Sequence, residues 1–196
     1  MSATQPDAVV RKRPKREQRR HQIIKTAASL FAAKGFDATS MRDIAADLDM
    51  NAGSLYYHFK SKEQLFVAVH SAGVNSLLEA VKARIQGLED PWERLEEAAA
   101  AHCEALFDSA DLMILLVPKF PSGIDAYRHE LIKQRDKYEE IIRGLVADLP
   151  LPQHIDRNVF RLHFIGALNW TQTWYRPGSR LSADEIGRQL VWMLRC

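Results

Sequence analysis

Apolar residues fall at three- and four-residue intervals along most of the 196-residue chain, and no segment keeps the two-residue alternation of a half-buried strand. The pattern therefore predicts an all-α protein. From about Glu17 to Lys34, Ile24, Ala27, Ala28 and Phe31 share one face, and Gly35 supplies a C-terminal stop. Ser40, with Asp43 three residues on, predicts the N-cap of a short second helix whose Ile44, Ala45 and Leu48 lie together. Asp49 stands where the chain must turn sharply, and Asp tolerates a left-handed backbone better than most non-glycine residues. Asn51 then caps a third short helix in which Leu55 and Phe59 face inward while Tyr56, Tyr57 and His58 face outward. A long fourth helix starts after Ser61 and reaches about Gln86, closed by Gly87. Further helices are expected from Pro91 to Ser109, from about Asp125 to Asp148, from about Asp156 to Tyr175 and from Ser182 to Arg195. Between them lie a short apolar run from Asp111 to Val117 stopped by Pro118, the loop Lys119 to Gly123, the Pro-rich Leu149 to Pro152, and the turn Arg176 to Arg180.

A short helix, a tight turn and a second short helix that begins with Ala52, Gly53 and Ser54 form the pattern of a DNA-reading helix-turn-helix. Those side chains are short enough for backbone and helix N-terminus to approach phosphates or base edges. Charge supports the same reading. Residues 1 to 21 hold Arg11, Lys12, Arg13, Lys15, Arg16, Arg19 and Arg20 against Asp7 and Glu17, a net +5 in a chain whose total is only +2. On composition alone this run is also what a solvated disordered tail looks like. Directly before a reading head it is expected to act as an arm that neutralises phosphates or enters the minor groove.

The string Ser40-Met41-Arg42-Asp43-Ile44-Ala45, followed by Ala52-Gly53-Ser54-Leu55-Tyr56-Tyr57-His58-Phe59-Lys60-Ser61-Lys62-Glu63-Gln64-Leu65, resembles the N-terminal domain of the TetR family of bacterial one-component repressors. The resemblance covers Gln18 to Phe66 and departs in the turn, Leu48-Asp49-Met50-Asn51, where cap and turn chemistry are nonetheless kept. It implies that Ser40, Arg42, Tyr57, His58 and Lys62 hold phosphates, and that Asn51, Ala52, Gly53, Ser54 and Tyr56 face the major groove. It also implies a three-part chain: a basic arm over 1–16, a three-helix DNA-binding domain over 17–62, and a larger helical ligand-binding and dimerisation domain over 63–196.

Within that larger domain, the helix from Val159 to Trp174 is apolar nearly all round, with Phe160, Leu162, Phe164, Ile165, Ala167, Leu168, Trp170 and Trp174. A helix of this kind needs burial on every side. One face is expected to pack on its own core and another on a second copy, Gly166, Ala167, Trp174, Leu190 and Leu194 forming the seam; a fully buried core hairpin is the competing arrangement. Phe107, Met113, Leu116, Phe120, Tyr127, Tyr138 and Trp170, with the amide of Asn169, are candidates to line a ligand cavity, although aromatic and Met residues at helical spacing also make ordinary core. The strings from Val117 to Tyr127 and from Ala167 to Ser182 look similar to TetR members that control lipid or steroid catabolism and respond to acyl-coenzyme A thioesters. That likeness implies that a basic group such as Lys119, Arg128 or Arg176 meets the coenzyme phosphates.

Composition excludes other classes. No run of about 18 apolar residues suggests a membrane span, and the basic N-terminus lacks the apolar core of a signal peptide, so a cytoplasmic protein is expected. Cys103 and Cys196 set no disulfide framework. His102, Cys103 and Glu104 are consecutive and point to different sides of a helix, so no metal and no cofactor is expected. The chain has no His-Glu-x-x-His, Cys-x-x-Cys, phosphate-cradling glycine loop or Gly-x-Ser-x-Gly elbow. The expected function is a ligand-responsive repressor that binds palindromic operator DNA as a homodimer. A repressor released by other aromatic or hydrophobic compounds and a helical adaptor that binds only protein are the alternatives.

Overall fold

Local signals place the helix boundaries, and the computed structural model, which describes residues 15–108, 121 and 123–195, has eight α-helices and one 3₁₀ turn among those residues. Helix α1 spans Lys15–Lys34, so Lys15 and Arg16 belong to a helix rather than to the arm expected over 1–16. It buries Ile23, Ile24, Ala27, Ala28 and Phe31, and ends at Gly35, whose φ of +83° suits glycine. Helix α2 is Met41–Asp47. Ser40 closes a capping box there: its hydroxyl accepts from the Asp43 amide at 3.1 Å, and its own amide donates to Asp43 Oδ2 at 2.8 Å. Asp49 takes the left-handed turn at φ 50°. Helix α3 is Ala52–His58, capped by Asn51 Oδ1, which accepts from the Ser54 amide at 2.7 Å. Helix α4 is Lys62–Ile85, capped by the Ser61 hydroxyl.

Helix α5 covers Pro91–Asp108. The expected segments from Asp111 to Val117 and from Lys119 to Phe120 lie outside the described residues. A 3₁₀ turn at Asp125–Tyr127 then leads into α6, Arg128–Asp148, so the helix expected from Asp125 starts one turn later. Arg157 ties the C-terminus of α6 to the next helix by donating to the carbonyls of Val146 at 2.5 Å and Leu149 at 3.0 Å. Helices α7, Arg157–Trp174, and α8, Ala183–Arg195, complete the body.

Two apolar clusters organise these helices. The first gathers α1, α2, α3 and the beginning of α4 around Phe31, Phe36 and Phe66, whose rings meet at 5.1 to 5.9 Å. Ile124 and Leu131 enter this cluster from the far side of the chain. The second joins the rest of α4 to α5, α6, α7 and α8 around Leu95, Leu106, Ile142, Phe164 and Leu168. Helices α5 and α8 cross closely at Gly187, where a Cβ would come within 2.4 Å of the Ala99 carbonyl oxygen. Glu97 of α5 accepts from Arg84 of α4 at 2.7 Å and from Arg188 of α8 at 2.8 Å, which ties the far end of α4 to both helices. Among the described residues, no helix is long and apolar enough to cross a membrane.

Candidate nucleic-acid interface

Leu55 and Phe59 are buried, and by anchoring one side of α3 they turn its other side to solvent. Asn51, Gly53, Ser54, Tyr56 and Tyr57 are exposed there, Tyr57 by 64%, and Ala52 and His58 are half-buried. Ser40 and Arg42 are exposed at the start of α2. The capping bond of Ser40 to Asp43, which holds that carboxyl below its usual range, fixes the helix end that carries them.

Helix α1 brings more charge to this face than the α2–α3 motif alone supplies. The Arg16 guanidinium stands 5.7 Å from the Tyr57 ring and that of Arg20 stands 4.7 Å from the Phe59 ring. Arg19 donates to the carbonyl of Leu48 at 3.4 Å, beside the turn. Partial burial lowers the pKa of His58, and the charges of Arg16, Arg19 and Arg20 lower it further. The three arginines, close enough to His58 to oppose its protonation, carry the positive field of this face. These three arginines were legible as basic residues, but only the helical onset at Lys15 assigns them to a rigid face.

Lys62, expected at a phosphate, is held by contacts within the chain. Its ammonium donates to the Phe36 carbonyl at 2.8 Å, lies 3.5 Å from the Asp37 carbonyl, and sits 4.2 Å from the centre of the Phe36 ring. It staples the first turn of α4 to the α1–α2 loop.

In the body, the proposed cavity set divides. Met113, Leu116 and Phe120 lie outside the described residues. Trp170 does not point inward: it is 65% exposed, because the buried stripe of α7 is Arg161, Phe164, Leu168 and Thr171. Tyr127 packs on the first apolar cluster rather than in the body. Phe107 lies against Tyr175 with ring centres 4.5 Å apart. Tyr138 and Asn169 do converge, on a residue that the sequence pattern did not single out for this role. His102 of α5 places Nδ1 2.6 Å from the Tyr138 hydroxyl and Nε2 3.1 Å from Asn169 Oδ1. Burial pushes the His102 pKa down to about 4, opposed by the Asn169 contact, so the ring is neutral. Because a carboxamide oxygen only accepts, Nε2 carries the proton and Nδ1 accepts from the tyrosine hydroxyl. The available signal was a histidine on the alanine-rich, buried face of α5.

The seam residues are also redistributed. Gly166 is exposed and Ala167 half-buried; Val159, Leu162, Trp170 and Trp174 continue the same exposed stripe along α7. Leu190 and Leu194 lean on the chain's own core, and α8 exposes Trp192 and Met193 instead. Among the described residues, no group of three or more His, Cys, Asp and Glu side chains is arranged to hold a metal ion.

Both halves of the molecule match known models. Residues 23–69 match the bacterial regulatory proteins of the tetR family, and residues 88–195 match the tetracyclin repressor-like C-terminal domain. The chain belongs to the TetR family, and it is a DNA-binding transcriptional repressor rather than an enzyme. It is similar to the HTH-type transcriptional repressor KstR2 of Mycolicibacterium smegmatis (strain ATCC 700084 / mc(2)155), with 30% identity over 180 residues that cover 88% of this chain and 87% of the relative. Among solved structures it is similar to AibR in complex with isovaleryl coenzyme A and operator DNA, with a TM-score of 0.77, 27% identity, and coverage of 89% of this chain and 97% of that one. A TetR/AcrR-family regulator from Thermobifida fusca YX-ER1 aligns with a TM-score of 0.66 and 34% identity over 90% of this chain and 96% of that one.

Proposed function

We propose that this repressor binds palindromic operator DNA as a homodimer and is released by a small hydrophobic effector, an acyl-coenzyme A thioester. The observation that carries the DNA reading is the exposed side of α3, with Gly53, Ser54, Tyr56 and Tyr57 open to solvent and the Arg16 guanidinium beside the Tyr57 ring. In this reading Asn51, Ala52, Gly53, Ser54 and Tyr56 face the major groove, while Ser40, Arg42, Tyr57, His58 and the α1 arginines hold phosphates. Lys62 keeps the first turn of α4 in register with the reader.

Dimerisation is supported by the exposed stripe of Val159, Leu162, Trp170 and Trp174, which continues onto Trp192 and Met193 of α8 and is more apolar than a monomer's surface ordinarily leaves open. The effector class is supported by AibR, whose solved complex contains isovaleryl coenzyme A and operator DNA together with a similar fold. His102, Tyr138 and Asn169 form one hydrogen-bonded polar group within the body, and in this reading it meets the carbonyl of the ligand.

The test starts with selection of an operator from random duplexes. The purified chain on that operator is then challenged with isovaleryl coenzyme A, a longer acyl-coenzyme A, the free acids and coenzyme A alone. Release by the thioesters and by neither half alone is expected. Release by the free acid, or by an unrelated aromatic compound only, would exclude the thioester and leave the repressor.

A further inference from the structure

The two long helices that pass between the apolar clusters each carry one buried polar side chain at the level where the clusters adjoin, and these two side chains meet. On α4, Leu65, Phe66, Val67 and Val69 belong to the reader's cluster, whereas Val74, Leu77, Leu78 and Val81 belong to the body's. His70 lies between the two sets, 3% exposed. On α6, Leu131 packs with the reader, whereas Tyr138, Ile142, Leu145 and Val146 pack with the body. Gln134 lies between them, 7% exposed. His70 Nδ1 and Gln134 Oε1 are 2.9 Å apart, so the imidazole donates and the carboxamide oxygen accepts. Gln134 Nε2 in turn donates to Glu130 Oε1 at 3.4 Å, one turn earlier.

Spacing makes the placement informative. Phe66, His70, Val74, Leu77 and Val81 form one helical stripe, and so do Leu131, Gln134, Tyr138, Ile142 and Leu145. In each stripe the polar residue holds the position at which another leucine would fuse the two clusters into one core. Apolar packing is non-directional and yields in small steps, whereas a buried hydrogen bond has a preferred geometry and leaves a costly orphan when broken. A polar pair at this level therefore divides the molecule into two bodies and gives the joint between them a definite angle.

We propose that His70 and Gln134 are positioning residues for operator recognition: their hydrogen bond sets the angle of the reader on the body, and with it the half-site spacing that the two reading heads accept. The inference rests on the homodimeric operator reading proposed above. It also assigns Ile124, Tyr127 and Leu131 to the moving part, since they pack on the reader although they lie in the C-terminal half of the chain.

The test uses the full chain and the variants His70→Leu, Gln134→Leu and the double His70→Leu/Gln134→Leu. The double variant removes both ends of the His70–Gln134 bond together, so it avoids the orphaned partner that each single variant leaves. Amide hydrogen exchange on the wild type is expected to place residues 128–133 in one opening unit with the reader and residues 138–146 in another with the body. In the double variant the two units merge. Against duplexes whose half-site separation is lengthened or shortened by one base pair, the double variant should also narrow the preference for the best spacing from about tenfold to about threefold or less. A wild type without an exchange boundary near Gln134, or a double variant that keeps both the boundary and the spacing preference, would overturn the proposal. Failure of the wild type to bind any duplex of the panel would instead sink the operator reading, and hydrogen exchange alone would then decide whether the joint exists.

Discussion

Ser54 and Tyr56 stand on the exposed face of α3, whereas Arg16 stands beside it on α1, and the proposed reading gives the two kinds of position different duties in binding. A contact to a base edge carries sequence preference; a contact to a phosphate carries affinity and its dependence on salt. Arg16→Ala is therefore expected to weaken all duplexes alike and to reduce the slope of log affinity against log salt by about one, while Ser54→Ala changes preference at one position of each half-site. Lys62→Ala should lower the melting temperature and affinity but leave most of the salt slope, because the ammonium is already directed at the Phe36 carbonyl. A full unit of slope lost at Lys62 would return that residue to the phosphates. His102 gives a second prediction, about pH. Its folded pKa of about 4 lies below the ordinary 6.5, so between these values the unfolded chain binds more protons and stability falls as the solution is acidified. The contribution, present above about pH 6.5 and lost as pH falls towards 4, amounts to roughly 3 kcal/mol at most. His102→Gln, which keeps hydrogen-bonding capacity but does not titrate, should lose less stability than the wild type between pH 7 and pH 5 in denaturant titrations. His70 and His58, whose pKa values are also lowered chiefly by burial, add a slope of the same sign in both proteins. Equal slopes for variant and wild type would mean that His102 does not titrate in this window.

Helix ends were legible in the sequence because their causes are local. Ser40, Asn51 and Ser61 cap α2, α3 and α4 through side-chain oxygens three residues from the amides they accept, and Gly35 and Gly87 take the left-handed backbone that closes α1 and follows α4. Which side of a helix meets which neighbour is a different kind of information. The run from Val159 to Trp174 is apolar all round, so its composition did not reveal that Phe164 and Leu168 face the core while Trp170 faces out. Tyr127 has an aromatic character that suits a cavity as well as a packing site, and only the chain's return to the reader distinguishes them. Small residues present the same ambiguity. Gly166 was read as part of a seam with a second copy, and within the chain nothing packs within 4 Å of where its Cβ would be, which leaves that side of α7 open. The close approach within the chain is at Gly187, against the backbone of Ala99. Gly187→Ala must therefore push α5 and α8 apart, at a cost of about 1–3 kcal/mol. Gly166→Ala should instead stabilise the isolated chain by about 0.5–1 kcal/mol through helix propensity. Thermal unfolding of both variants checks the pair, and a Gly187→Ala protein as stable as wild type would mean that the crossing is looser than the structure has it.

At the scale of the whole molecule, repression and release follow from one geometric requirement: two reading heads must match the spacing of successive major grooves, about 34 to 36 Å between half-site centres or a little more. One short α3 covers too few base pairs for a useful specificity ratio, so in the proposed dimer the exposed stripe of α7 would matter to DNA binding although it touches no DNA. Trp170→Glu is expected to give monomers in sedimentation and a large loss of operator affinity with an intact reader. A wild type that sediments as a monomer at micromolar concentration while still bound tightly to operator would remove the dimer from the mechanism. Release requires the effector to bind the body better in one orientation of the reader than in the other, since a ligand with equal affinity for both states shifts nothing. Helix α4 runs from the reader's core to the body's, and its far end is held to α5 and α8 through Arg84, Glu97 and Arg188, so in the proposed mechanism a ligand that shifts α5 or α8 would reach the reader as a change of α4 tilt. To weaken operator binding about a hundredfold, a differential affinity of only about 2.7 kcal/mol is needed, within the ordinary range of allosteric coupling. Reciprocity then makes the sharper measurement: operator DNA must weaken effector binding by the same factor. Isovaleryl coenzyme A titrated into the chain with and without operator is expected to show that loss. Equal affinity in the two titrations would exclude release by this class of ligand even if the thioester binds the body tightly.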